Sequence, residues 1–153
     1  MATIQYLESG VTNFVEAATV TASSANSAFP ATNVSSSAPR DLSSPWKSAA
    51  TVVTGAKLLF DLGSAKAVTA VVVAGHNVRS GGTVTVRAGT GADPDGSAFS
   101  TTLSIRDDLI WKVIASSTYQ FWSIQFDDSG NPDTHVRASY VMLGAISTFP
   151  QGI

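Results

Sequence analysis

Few residues of this chain could do covalent chemistry, and they do not gather into a catalytic pattern. There are two histidines, His76 and His135, and no cysteine. Neither histidine stands in the His-Glu-x-x-His spacing that sets two imidazoles on one helix face around zinc. Serines are abundant, but no Gly-x-Ser-x-Gly elbow presents one as a nucleophile. A carboxylate pair for glycoside hydrolysis would have to come from Asp61, Asp93, Asp107 or Asp127, which all fall in expected turns or strand ends. Asp127, Ser129, Asn131 and Asp133 alternate like the start of a calcium loop. Pro132 takes the place of the required glycine, however, and Ala138 that of the bidentate glutamate. The expectation is a protein that is not an enzyme and carries no cofactor.

Binding chemistry is better represented. Trp46 offers an aromatic face on which the C–H side of a pyranose could stack. Alternatively it anchors the long loop before it, as the high average burial of Trp suggests. Lys47 beside it could hold a carboxylate or sulfate, or simply remain solvated. His76 and Asn77 end an apolar strand and can donate and accept hydrogen bonds as sugar hydroxyls require. Asn77 also suits a left-handed turn, so the pair could equally be structural. Arg79 is a third member of either arrangement. The candidate glycan-binding set is therefore Trp46, Lys47, His76, Asn77 and Arg79.

These residues need a scaffold, and the periodicity supplies an all-β one. The 153 residues suit one domain spanning 1–153, with a core large enough to need no staples. Expected strands are Thr3–Leu7, Ala17–Ser23, Lys57–Asp61, Val68–Ala74, Thr83–Gly89, Phe99–Ile105, Ile110–Ile114, Tyr119–Phe126 and Ala138–Ile146. Val11–Val15 is ambiguous. Strict alternation puts Val84 with Val86, and Trp122 with Ile124 and Phe126, on one face each. Val71-Val72-Val73 is apolar throughout and is expected to be covered on both sides. Pro30–Val34 reads as one helical turn with Phe29 and Val34 entering the core, and Ser35–Pro45 as an irregular loop. Asp61-Leu62-Gly63 reads as a turn between two strands.

Charge narrows the partners. Net charge is -2 and only 13% of residues are charged. The nine basic residues are scattered, so no electrostatic nucleic-acid surface is expected. No apolar run reaches the roughly 20 residues of a membrane-spanning helix. Met1–Glu8 lacks a basic segment followed by an apolar stretch, so no secretory signal is expected. A weakly charged, Ser/Thr-rich surface suits a subunit packed into a larger assembly.

Several motifs occur in a telling order: Phe29-Pro-Ala-Thr-Asn-Val34, Trp46-Lys-Ser48, Leu58-Leu-Phe-Asp-Leu-Gly63, Val71-Val-Val-Ala-Gly-His-Asn77, Tyr119-Gln-Phe-Trp122, Ile124-Gln-Phe-Asp-Asp128 and Val141-Met-Leu-Gly144. Together they resemble the discoidin-like (coagulation-factor C-type, galactose-binding) jelly rolls of tailed-bacteriophage virion proteins, over about residues 17–150. Many relatives carry Arg where Lys47 stands and have a longer segment after Leu-Gly. The resemblance implies an antiparallel β-sandwich with little helix and a structural role in a virion assembled in the host cytoplasm. The position would be tail, baseplate or another external part. Partners would be other virion proteins and further copies of the chain, through residues 1–16 and 147–153. Two alternatives are a carbohydrate-binding module attaching the particle to host glycan, and a capsid decoration protein. Some relatives hold a structural calcium through backbone carbonyls, which a sequence would not reveal.

Overall fold

The computed structural model describes residues 11–35 and 42–146. Nine strands form two antiparallel layers with two short 3-10 turns and no α-helix among the described residues. The strands are β1 (Val11–Asn13), β2 (Thr19–Ala22), β3 (Trp46–Lys47), β4 (Ala56–Ala74), β5 (Thr83–Gly89), β6 (Phe99–Leu103), β7 (Leu109–Asp127), β8 (Arg137–Ala138) and β9 (Tyr140–Ile146). One layer joins β2, the first half of β4, the second half of β7, β5 and β6. The other joins β1, β9, the second half of β4 and the first half of β7. β3 and β8 form a separate two-stranded ribbon.

The core lies where the alternation placed it. Leu58, Phe60, Val84, Val86, Trp122, Ile124 and Phe126 from one layer meet Val71, Val73, Ile110, Val141 and Leu143 from the other, all buried. Each of these positions is the inward member of a period-two pattern, so one buried face fixes the register of each strand. The open side of the sandwich is closed differently. Lys112 turns inward from β7, and its Nζ donates to Thr101 Oγ1 at 2.7 Å and to the Thr102 carbonyl at 3.1 Å. An inward-turned charge also discourages another chain from adding to this edge.

Four expectations need correction. Asp61-Leu62-Gly63 bends a strand and does not end it. The Asp61 carboxylate accepts from the Gly63 N–H and from Gln120, both at 2.8 Å, while Gly63 takes φ +76°. β4 therefore runs through 19 residues and β7 likewise, merging two expected strands each, with register shifts between Asp61/Lys66 and Val68/Ala70. Ala138–Ile146 is split at Ser139, because Ala138 pairs with Trp46 in the ribbon. Phe29 does not enter the core: it is half-buried, while Val34 is fully buried. Val72 is only half-buried, because its side of the layer is the outer one. There it neighbours Trp111, which with Leu109 and Val113 forms an exposed apolar stripe along β7. Val11–Val15 resolves into β1 and a 3-10 turn capped by Asn13. Thr3–Leu7, most of the Ser35–Pro45 loop and residues 147–153 lie outside the described residues.

Candidate functional site

The ribbon of β3 and β8 has two unlike sides. Its register pairs Trp46 with Ala138 and Lys47 with Arg137. Trp46 and Ala138 turn inward and are fully buried. Trp46 packs on Phe126 with ring centroids 5.4 Å apart, and its Nε1 donates to the Ser24 carbonyl at 3.1 Å. No face of this indole remains for a sugar, so the anchoring role is the one the structure gives it. Lys47 and Arg137 turn outward and are half-buried. They border an open cleft of about 490 Å³, whose walls include Phe29, Leu42, Pro45 and Asp108.

Each wall has a local cause. Phe29 is held by a bridge to Asn26, and its carbonyl accepts from the Lys47 N–H. Lys47 Nζ lies 3.9 Å from the centroid of the Phe29 ring, so the ring's negative face fixes the ammonium at the cleft rim. Asp108 is brought in because its carbonyl accepts from the Gly75 N–H at 2.8 Å. Gly75 takes φ +67°, and a Cβ there would collide with the Ser139 side chain, so only glycine closes this turn. Ser139 Oγ in turn donates to the Leu42 carbonyl at 2.8 Å and holds the exposed Leu42 against the cleft.

The other candidate residues belong to a neighbouring network that is closed on itself. Asn77 Nδ2 donates to Asp133 and to the His135 carbonyl, both at 2.9 Å, while its Oδ1 accepts from the Arg137 N–H. Asn77 thus positions the backbone of a cleft cation without facing the cleft. Arg79 Nη2 donates to Asp128 at 2.7 Å, and Asp128 also accepts from the Arg79 N–H and from Asn131. The Arg79 guanidinium holds the Asp128 carboxyl below the usual carboxylate range. Asp133 is held low as well, first by Asn77 and then by the charges of Arg137, His135 and Lys47. His76 is buried, and its Nδ1 accepts from the Val78 N–H, which leaves the proton on Nε2. Nε2 is buried and closes no hydrogen bond among the described residues, although the backbone of Asp107 and Arg106 favours the protonated ring. Burial pushes the pKa of this imidazole down.

Of the five expected residues, then, only Lys47 reaches the cleft. Trp46 and Asn77 hold the ribbon beside it, whereas His76 and Arg79 are engaged elsewhere, with Val78 and Asp128. Phe29, Leu42, Asp108 and Arg137 were not among the candidates. The available clue was that Arg137, like Lys47, directly precedes or follows a residue destined for the core. The carboxylates of the acidic turn accept from the protein itself: Asp127 from Gly55 and Gln125, Asp128 from Arg79, and Asp133 from Asn77. Among the described residues no three His, Asp or Glu side chains converge as a metal site.

Neither a protein-family model nor a curated protein matches the sequence. Solved structures do. The family 32 carbohydrate-binding module of Clostridium perfringens NanJ, in complex with galactose, is 13% identical with a TM-score of 0.67. The match covers 88% of this chain and 99% of that one. Chitosan-binding module 1 of a Paenibacillus chitosanase/glucanase is 19% identical with a TM-score of 0.65, over 86% and 97% of the two chains. The family 32 module of AlyQ, in complex with 4,5-unsaturated mannuronic acid, is 25% identical with a TM-score of 0.58, over 80% and 91%. The fold is that of the discoidin-like, galactose-binding sandwiches.

Proposed function

We propose that this chain is a non-catalytic glycan-binding domain that uses the cleft beside the β3–β8 ribbon. The observation that carries the reading is the make-up of that cleft. Phe29, Leu42 and Pro45 offer apolar surface to sugar C–H groups, Lys47 and Arg137 offer donors, and Asp108 offers an acceptor. Small-ligand sites combine apolar walls with a few convergent polar groups in this way. The likeness to carbohydrate-binding modules supports the same reading. A glycan array followed by calorimetric titration tests it. Binding of at least one glycan class, weakened in Phe29→Ala and Arg137→Ala proteins that still fold, is the expected result. Absence of binding across the array sinks the reading.

A second reading is structural: a component of a bacteriophage particle, in tail, baseplate or capsid decoration, repeated in homo-oligomeric contact. Its phage origin rests on the motif order alone. The observation that favours protein attachment is the stripe of Leu109, Trp111 and Val113, which are 48%, 60% and 57% exposed. Apolar surface of this kind commonly marks a contact with another protein. Mass spectrometry of purified particles would find the chain among the virion proteins, and its absence from them would rule this reading out.

A further inference from the structure

We infer that the glycan taken by the cleft carries a carboxylate, as a uronate does, and that Lys47 and Arg137 hold this group between them. The inference rests on the glycan-binding reading and names its substrate class. Its starting point is the ribbon register, which sets Lys47 directly opposite Arg137. Like charges directly opposite one another on paired strands repel and destabilise the pairing. Proteins usually relieve such a pair with a carboxylate of their own. Here, among the described residues, neither Lys47 nor Arg137 closes an ion pair; the ion pairs are Lys57–Asp93 and Arg79–Asp128.

Among the described residues the neighbouring acids do not supply the missing partner. Asp133 feels the charges of both cations but closes an ion pair with neither, and one of its oxygens accepts from Asn77. Asp108 lines the cleft without pairing to either. Arg137 Nε is walled in and unbonded, and among the described residues no side-chain hydrogen bond ties up the rest of the guanidinium. A planar carboxylate matches a guanidinium edge through two parallel hydrogen bonds, and an ammonium opposite would complete the grip. The cation–π contact with Phe29 holds that ammonium in place before any ligand arrives. A pyranose ring bearing the carboxylate would then lie toward the apolar wall of Leu42 and Pro45.

Calorimetric titration with tri-galacturonate and tri-mannuronate, each beside its carboxyl-reduced neutral counterpart, tests the inference. At least one uronate should bind about tenfold more tightly than its reduced form, the difference shrinking as salt rises. Lys47→Gln and Arg137→Gln should each remove most of that difference while leaving the melting temperature close to the parent's. Equal binding of acid and reduced sugar overturns the charge selectivity and leaves the glycan reading standing. Binding of none of the four, with no other glycan bound on the array, overturns both. Uronate selectivity that survives both substitutions overturns the assignment to Lys47 and Arg137. A sulfated trisaccharide bound more tightly than either uronate overturns the carboxylate in favour of a sulfate.

Discussion

Two polar regions lie side by side at this end of the sandwich, and they handle charge in opposite ways. Around Asp128 the donors converge: Arg79, Asn131 and the Arg79 N–H all meet one buried carboxylate. Lys47 and Arg137 stand opposite each other on the ribbon, and among the described residues neither closes an ion pair. The first arrangement is self-sufficient, so its residues are explained by folding alone. The second leaves binding capacity unused at the surface, which is where a ligand can act.

Substitutions can break or sharpen this contrast. The largest effect is expected within the ribbon's inward side: Trp46→Ala should cost about 4 kcal/mol in chemical denaturation, through the cavity left against Phe126. In the closed network, Asp128→Ala should cost about 2 kcal/mol, because it removes the acceptor of the Arg79 N–H and of the buried Asn131 amide, while the half-exposed Arg79 guanidinium returns to solvent. The Asp128 carboxyl has a folded pKa below its ordinary 3.8. The stability it contributes is therefore present above about pH 4 and is lost as pH falls through the lower folded value, a dependence that Asp128→Asn should flatten. Asn77→Ala removes three hydrogen bonds and should cost about 2 kcal/mol. It should also weaken any ligand held by Arg137, whose backbone Asn77 positions.

A subtler test concerns His76, whose folded pKa lies below 6.5. Its neutral form suits the fold, so stability should be full above pH 6.5 and decline as pH falls toward the folded value. Denaturation midpoints across that window would show the slope. His76→Asn, which keeps an acceptor for Val78, should remove it. The smallest effect belongs to the open pair. Arg137→Gln and Lys47→Gln should each change stability by no more than about 0.5 kcal/mol, with a gain as acceptable as a loss because repulsion is relieved. A loss of several kcal/mol for either would erase the contrast and make the cations structural.

What the sequence made legible follows from range. Alternation is local, so Trp122, Ile124 and Phe126, or Val84 and Val86, announced their buried faces directly. The order of short motifs announced the sandwich. The turn after Asp127 was also readable, from its density of Asp, Ser, Gly, Asn and Pro. The meeting of Lys47 with Arg137 was not, because it depends on two strands of two residues each, brought together from distant parts of the chain. Asp61-Leu62-Gly63 misled for a different reason. A glycine at positive φ next to an aspartate that accepts its N–H is the chemistry of a turn, and only the partner strand, through Gln120, shows that it bends a continuous ladder. Phe29 was assigned inward together with Val34 from the helical turn between them, whereas it stays half-buried at the cleft rim with Lys47 over its ring.

The two 19-residue strands have a mechanical consequence. Because β4 and β7 each cross from one layer into the other, the leaves share a covalent spine as well as a greasy seam. Neither leaf can peel away or slide without bending backbone that belongs to both. Tension applied at one end of the sandwich is thus spread along main chain into both layers, and amide exchange in the two leaves should rise together, in one opening event.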